Sequence, residues 1–255
     1  MDWAAEKSKS HTVPLMATLE GRPIVDGCAI LIELNRRTYL LSADHVGVHR
    51  GGMKVDIGSE LSQSDFGQFV SVPNIDITVV EVLNPTPFTT DGRLDFVKEQ
   101  DLGLGHAPDS TTNMPEYLVC GYPTSRAKPL WGNSAKLRAE PFGFRTRMIP
   151  ETDRADFPYD PQLHHFFKYR KDLLVDGKTG HRRNPPPLEG ISGSGVWHHR
   201  ETSLSLVGIM IAQYPAANPK ALVVVRIDAI TEAIRLTLDL EVSQSPFLLA
   251  QVVRQ

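Results

Sequence analysis

Apolar residues fall in short runs along most of this chain, and turn-forming residues break the runs. Residues 29–34 (Ala-Ile-Leu-Ile-Glu-Leu) and 38–41 (Thr-Tyr-Leu-Leu) flank the polar stretch Asn35-Arg36-Arg37, which is the pattern of a β-hairpin. Residues 75–82 (Ile-Asp-Ile-Thr-Val-Val-Glu-Val) alternate and are rich in β-branched side chains, so they read as a strand. Residues 117–120 form another short apolar run, closed by the turn signal Gly121-Tyr122-Pro123. In the second half, 195–197 lead to a polar tip at 198–202. Residues 204–211 and 221–225 then read as buried strands on either side of a Pro/Asn-rich loop. Only near the end does the period change. Ile227, Ile230, Ile234 and Leu238 recur at helical spacing, with Asp228 near the start. Many short strands and one terminal helix predict an all-β barrel or sandwich.

Composition narrows this only slightly. The chain has 255 residues, enough for one large or two small β domains, and 41% hydrophobic with 22% charged residues is ordinary for a globular protein. A net charge of −3 gives no general attraction to nucleic acid or to an anionic membrane. Two cysteines, Cys28 and Cys120, cannot make a disulfide scaffold, and two reduced, buried thiols are expected. The opening residues lack the apolar stretch of about 7–15 residues of a signal peptide. No run of about 18 apolar residues exists to cross a membrane. A cytoplasmic protein is therefore expected. The least regular region, 140–188, holds many prolines and basic clusters at 168–171 and 181–183, and reads as a solvated insertion.

Three segments carry candidate chemistry. Leu40-Leu-Ser-Ala-Asp-His45-Val46 ends a strand in small residues and a histidine. Gln100-Asp101-Leu-Gly-Leu104 places an acid before a short apolar run. Gly190-Ile191-Ser192-Gly193-Ser194-Gly195 sets a serine among glycines. A serine hydroxyl is a weak nucleophile until a base takes its proton, and histidine titrates near neutrality, so the combination suits nucleophilic catalysis. The order His, Asp, Ser differs from the Ser, Asp, His of an α/β-hydrolase and the Asp, His, Ser of a subtilisin.

These segments resemble the signatures of trypsin-like, chymotrypsin-fold serine proteases. Ser42-Ala-Asp-His45 resembles their small-residue-then-His motif, and Gly190-Ile-Ser192-Gly-Ser-Gly195 their G-x-S-G-[GS]-[GP] motif. Asp101-Leu-Gly-Leu resembles their D-[IL]-A-L segment. Gly121-Tyr-Pro123 is similar to a turn of the bacterial members. The resemblance implies an all-β fold of two six-stranded antiparallel β-barrels with a C-terminal helix. As a single peptidase domain spanning 1–255, it would comprise an N-terminal barrel (12–112), a C-terminal barrel (113–227) and the helix (228–240). It further implies a serine endopeptidase with His45 as base, Asp101 as the orienting acid and Ser192 as nucleophile. The backbone N–H groups of Gly190 and Ser192 would form an oxyanion hole, and Ile211, Ala212 and Gln213 one wall of the substrate pocket. No cofactor and no metal are implied. The partner would be a protein or peptide substrate, with an activating protein as a further possibility and no nucleic acid or membrane.

The chain departs from the digestive members at Ile191, where zymogen-activated enzymes carry an Asp that pairs with a new N-terminus; a bacterial, non-zymogen type is expected. Val46 stands where many secreted members have a disulfide cysteine. No acid sits at the expected base of the pocket, near Pro186, so an apolar or small P1 side chain is expected. Asp76, Asp91 and Asp95 lie near Asp101, but Asp76 falls within a predicted strand and Asp91 in a Thr-Asp-Gly turn. The pairs His164-His165 and His198-His199 lack companions at zinc-ligand spacing and read as structural. Two other functions fit the same residues: a latent effector protease awaiting a partner, and a weakly active protease-fold scaffold.

Overall fold

The predicted hairpin turns on two residues, Asn35 and Arg36, both with positive φ (46° and 62°). This is the geometry that matches the twist of the strands it joins. It links β2 (Arg22–Leu34) to β3 (Arg37–Ala43), with Leu34 opposite Arg37. The structure is a computed structural model describing residues 3–20, 22–46, 54–55, 65–90, 92–106, 117–130, 133–150, 157–169, 186–214 and 220–245. Asp91, the basic cluster at 181–183 and most of the loop before 221 lie outside the described residues, as does all of 168–171 beyond Tyr169.

A short helix, α1 (Trp3–Ser10), precedes the strands; its sequence carries no apolar stripe that would announce it. The first sheet comprises β1 (Thr12–Leu19), β2, β3, β4 (Lys54–Val55), β5 (Phe66–Val72) and β6 (Ile77–Val82). Its order is β4-β1-β2-β3-β6-β5, and β7 (Val97–Lys98) pairs in parallel with β2. The expected strand at 75–82 thus starts at Ile77, after a 3₁₀ turn over Pro73–Ile75. Asp76 adopts left-handed geometry (φ 55°, ψ 46°), which no strand residue shares.

The second sheet comprises β8 (Tyr117–Gly121), β11 (Phe142–Thr146), β12 (His164–Lys168), β13 (Gly195–Arg200), β14 (Ser203–Tyr214) and β15 (Ala221–Arg226). It runs β11-β8-β13-β14-β15-β12, antiparallel throughout. Its two end strands approach each other. Met148, just past β11, bridges Phe167 of β12, and the Ile149 and Lys168 amides donate across the gap at 2.7 and 2.9 Å. Strands β9 (Ala127–Leu130) and β10 (Asn133–Ala139) form a separate hairpin. The protein is therefore mostly β, in antiparallel sheets with a C-terminal helix. Among the described residues no helix is long and apolar enough to cross a membrane.

A buried apolar cluster runs between the sheets, from Ile30, Leu31 and Leu41 of the first to Trp197, Leu206 and Ile209 of the second. Both cysteines are free and buried. After the one-turn α2 (Thr86–Thr89), the last helix, α3 (Ile227–Leu238), buries Ile227, Ile230 and Ile234 as its spacing predicts. Asp228 is also fully buried. Its carboxylate accepts the Gly105 amide at 2.7 Å and the Ser245 hydroxyl at 2.5 Å, and Arg226 lies 3.5 Å away. An acid in the first helical turn is also favoured by the helix dipole. Removing this carboxylate strands a buried amide and takes a charge partner from Arg226. Asp228→Ala is expected to lower stability by about 3 kcal/mol, and Asp228→Asn by less because one acceptor survives. Denaturant unfolding of both variants checks this.

Candidate active site

His45 lies just beyond the end of β3. The chain turns there, with the Val46 amide donating to Ala43 O at 3.2 Å, and the Asp44 amide donates to Asp76 O at 3.0 Å. The Asp76 carboxylate then holds His45 twice. Oδ1 accepts the His45 backbone amide at 3.0 Å, and Oδ2 accepts Nδ1–H at 2.7 Å. The left-handed backbone at Asp76 allows this, because it ends the 3₁₀ turn and presents the side chain before β6 begins. With Nδ1 as donor, the neutral ring keeps its lone pair on Nε2. Asp44 is engaged elsewhere, accepting the Thr78 hydroxyl.

Asp101 does not hold His45. It ends a 3₁₀ turn (Glu99–Asp101) whose following residues are stitched to the start of β14: Leu102 bridges Leu206, and the Gly103 amide donates to Leu206 O at 2.8 Å. Ser192 instead meets β14 at Ile211, five residues further on and so about 17 Å along the strand. Burial lowers the pKa of His11, and the charge of Asp101 is among the groups that oppose this. Asp95 is likewise committed, to Lys7 at 3.1 Å. The carboxylate bonded to His45 is thus Asp76 and not the Asp101 that the sequence pattern suggests. The clue to Asp76 is an acid inside an otherwise β-branched run, where aspartate is disfavoured.

Ser192 sits in a tight turn before β13. The Glu189 carbonyl accepts the Thr124 amide at 2.8 Å, and the Ile191 carbonyl accepts the Ser194 amide at 3.1 Å. The carbonyl and N–H of a trans peptide point in opposite directions. These two bonds therefore aim the N–H groups of Gly190 and Ser192 away from the protein groups holding the turn. Among the described residues no backbone carbonyl accepts either N–H. Gly190 (φ 82°) and Gly193 (φ 88°) both have left-handed backbone. A Cβ on Gly193 would lie 1.9 Å from Cys28 O, so only glycine fits. Ile191 is fully buried beneath the turn.

No protein-family model matches the chain, and no curated protein matches it.

The two candidate segments meet across β2. The Cys28 amide donates to Ser192 O at 2.7 Å. A Cβ on Gly27 would lie 2.4 Å from Val46 Cγ1 and 3.0 Å from Ser192 O, so the residue after His45 and the Ser192 turn crowd the same glycine. No hydrogen bond joins Ser192 to His45; the serine hydroxyl donates to Ile211 O at 3.3 Å. Ile211 is the extra residue of a β-bulge in β14, where Met210 pairs with Val224 and Ala212 with Val223. Bulges of this kind re-aim side chains beside functional sites. Ile211 is buried, Ala212 half-buried and Gln213 exposed. Among the described residues no group of three His, Cys, Asp or Glu side chains is placed to hold a metal.

Electrostatics at His45 favour its charged form. The hydrogen bond to Asp76 raises its pKa above 6.5, burial opposes this, and the charges of Asp76, Asp26 and Asp44 add to the rise. Because the folded value exceeds the unfolded one, the pairing stabilises the fold fully below pH 6.5. That contribution is lost as pH rises through the folded value. Asp76→Asn is expected to lower the His45 titration midpoint, whereas Asp101→Asn leaves it in place; imidazole proton shifts in NMR read both.

Proposed function

We propose that this protein is a serine endopeptidase of the trypsin-like type, in which Ser192 is the nucleophile, His45 the general base and Asp76 the orienting acid. The observation that carries the proposal is the turn at 189–194. It offers two outward-facing amides beside a serine, in a turn that crowds Gly27 together with Val46, the residue after a histidine whose tautomer a carboxylate has set. Ser192 Oγ would attack the scissile carbonyl as His45 Nε2 takes its proton. The Gly190 and Ser192 N–H groups would stabilise the oxyanion of the tetrahedral intermediate. The imidazolium, stabilised by Asp76, would then protonate the leaving amine. Water, activated by the same histidine, would hydrolyse the acyl-enzyme. The acyl side of the substrate would lie along Ile211, Ala212 and Gln213, with a small or apolar P1 residue.

Strand order supports the double-barrel architecture that goes with this reading. Count the six strands of each sheet from its own first strand, leaving out β7 and the β9–β10 hairpin. Read round as rings, both sheets then follow 1-2-3-6-5-4. In this numbering His45 and Ser192 occupy the same connection, between strands three and four, of the two sheets. Buried Ile191 supports a turn formed without an N-terminal ion pair. One observation favours the latent-effector alternative: the Ser192 hydroxyl is turned to Ile211 O, so catalysis requires a rotation about χ1.

Labelling with a fluorophosphonate probe and hydrolysis of a peptide library test the proposal. Wild-type protein is expected to label. Ser192→Ala abolishes labelling and lowers turnover on the order of 10⁶-fold. Asp76→Asn lowers turnover on the order of 10⁴-fold, and Asp101→Asn leaves it within about twofold. Wild-type protein that neither labels nor cleaves, alone or with cell extract, overturns the enzyme reading in favour of a scaffold.

A further inference from the structure

Two strands flank the turn that carries Ser192. On one side is β14, whose Ile211 O accepts the Ser192 hydroxyl. On the other is β2. Its Val25 carbonyl accepts the Thr124 hydroxyl at 2.7 Å and would lie 3.1 Å from a Cβ on Gly190, and its Cys28 amide donates to Ser192 O at 2.7 Å. Residues 25–28 therefore run past Gly190 and Ser192, and Asp26 lies between the two points of attachment. The same stretch approaches the histidine, since a Cβ on Gly27 would lie 2.4 Å from Val46 Cγ1.

Asp26 departs from the pattern of its strand. Leu15 pairs with Gly27 and Met16 with Val25, so Asp26 is the extra residue of a β-bulge. A bulge interrupts the alternation of side chains and re-aims the residue it inserts. Val25 and Gly27 are buried, whereas Asp26 is half-exposed. Its charge acts on the His45 ring together with those of Asp76 and Asp44. Asp76 holds that ring and Asp44 accepts the Thr78 hydroxyl, both at the ends of β3 and β6. Asp26 adds a carboxylate from β2, where aspartate is a disfavoured strand residue.

The chemistry says which part of a substrate would meet it. The leaving nitrogen takes its proton from His45, so the residue carrying that nitrogen sits beside the histidine. The acyl side diverges along β14, and the leaving side is left to the part of β2 that crowds Val46. We propose that Asp26 is a specificity-determining residue that selects a Lys or Arg side chain on the leaving-group side of the scissile bond. This rests on the protease reading above. A cationic side chain there is attracted by Asp26, and an anionic one is repelled by the same carboxylate.

Quenched fluorescent peptides with one common acyl side, and with Lys, Gln or Glu at the two positions after the scissile bond, test this on the full chain. Wild-type protein is expected to cleave the Lys peptide with kcat/KM about 5-fold above the Gln peptide, the scale of a part-exposed ion pair, and the Glu peptide more slowly than either. Asp26→Asn brings Lys and Gln together, and Asp26→Lys reverses the order of Lys and Glu. A role confined to folding or to tuning His45 would change all three substrates alike. Should the variants fail to fold, salt carries the test: the wild-type preference narrows between about 0.01 M and about 1 M, and a preference unchanged by salt overturns the proposal. So does wild-type protein without a Lys preference, or a preference that survives Asp26→Asn. If wild-type protein hydrolyses nothing, the protease reading fails by itself. The dipeptide amides Lys-Ala and Gln-Ala, which mimic the leaving group, then decide the role of Asp26. Tighter binding of Lys-Ala, read from the His45 imidazole shifts and lost in Asp26→Asn, supports it; equal binding overturns it.

Discussion

The 2.7 Å hydrogen bond from the Cys28 amide to Ser192 O joins the first sheet to the turn that carries the candidate nucleophile. The position of His45 relative to Ser192 depends on this junction. His45 is placed by β3, which β2 pairs along its length; Ser192 is placed against β2 directly. Strand β2 is therefore the common reference for both halves of the site. Its own backbone is held by β1, by β3 and by the Ser42 hydroxyl. Glycine at position 27 lets Val46 and Ser192 approach β2 this closely, since a side chain there would overlap Val46 and press on Ser192 O.

The second constraint is the carboxylate of Asp76. It takes two donors from one residue, a backbone amide and a ring nitrogen, so it fixes both where His45 sits and which way its imidazole faces. A charge-assisted pair of this kind is shorter and stronger than a neutral hydrogen bond. It is only part-buried, however, so its effect on global stability is modest and its effect on orientation is the larger one. The left-handed geometry that Asp76 adopts is uncommon for a non-glycine residue and is tolerated best by Asp and Asn. The residue thus does two jobs: it terminates a 3₁₀ turn and it binds the histidine.

Much of this was legible along the chain. The hairpin at Asn35-Arg36, the strand at Tyr117, the long buried strand before Tyr214 and the isoleucine stripe of α3 all follow from spacing and turn chemistry. His45 and Ser192 were legible because each sits in a short segment whose neighbours must be small. Asp76 was not. In the sequence it occupies an alternating β-branched run, and only the 3₁₀ turn over Pro73–Ile75 takes it out of the strand. Helix α1 was missed for a related reason: it has no strong apolar stripe and is held by packing against β8 and β13.

What the sequence by itself determined is local: which segments extend, which turn, where the helix begins, and which two short motifs could carry nucleophilic chemistry. These follow from side-chain periodicity and backbone preference over a few residues. Only the tertiary structure decided which carboxylate serves His45, where the Ser192 hydroxyl points, and that β2 carries Asp26 past the Ser192 turn. Each of these is a distance between groups far apart in the chain, set when separate strands dock through their buried faces. No spacing along the sequence encodes which of several acids that docking brings to the histidine.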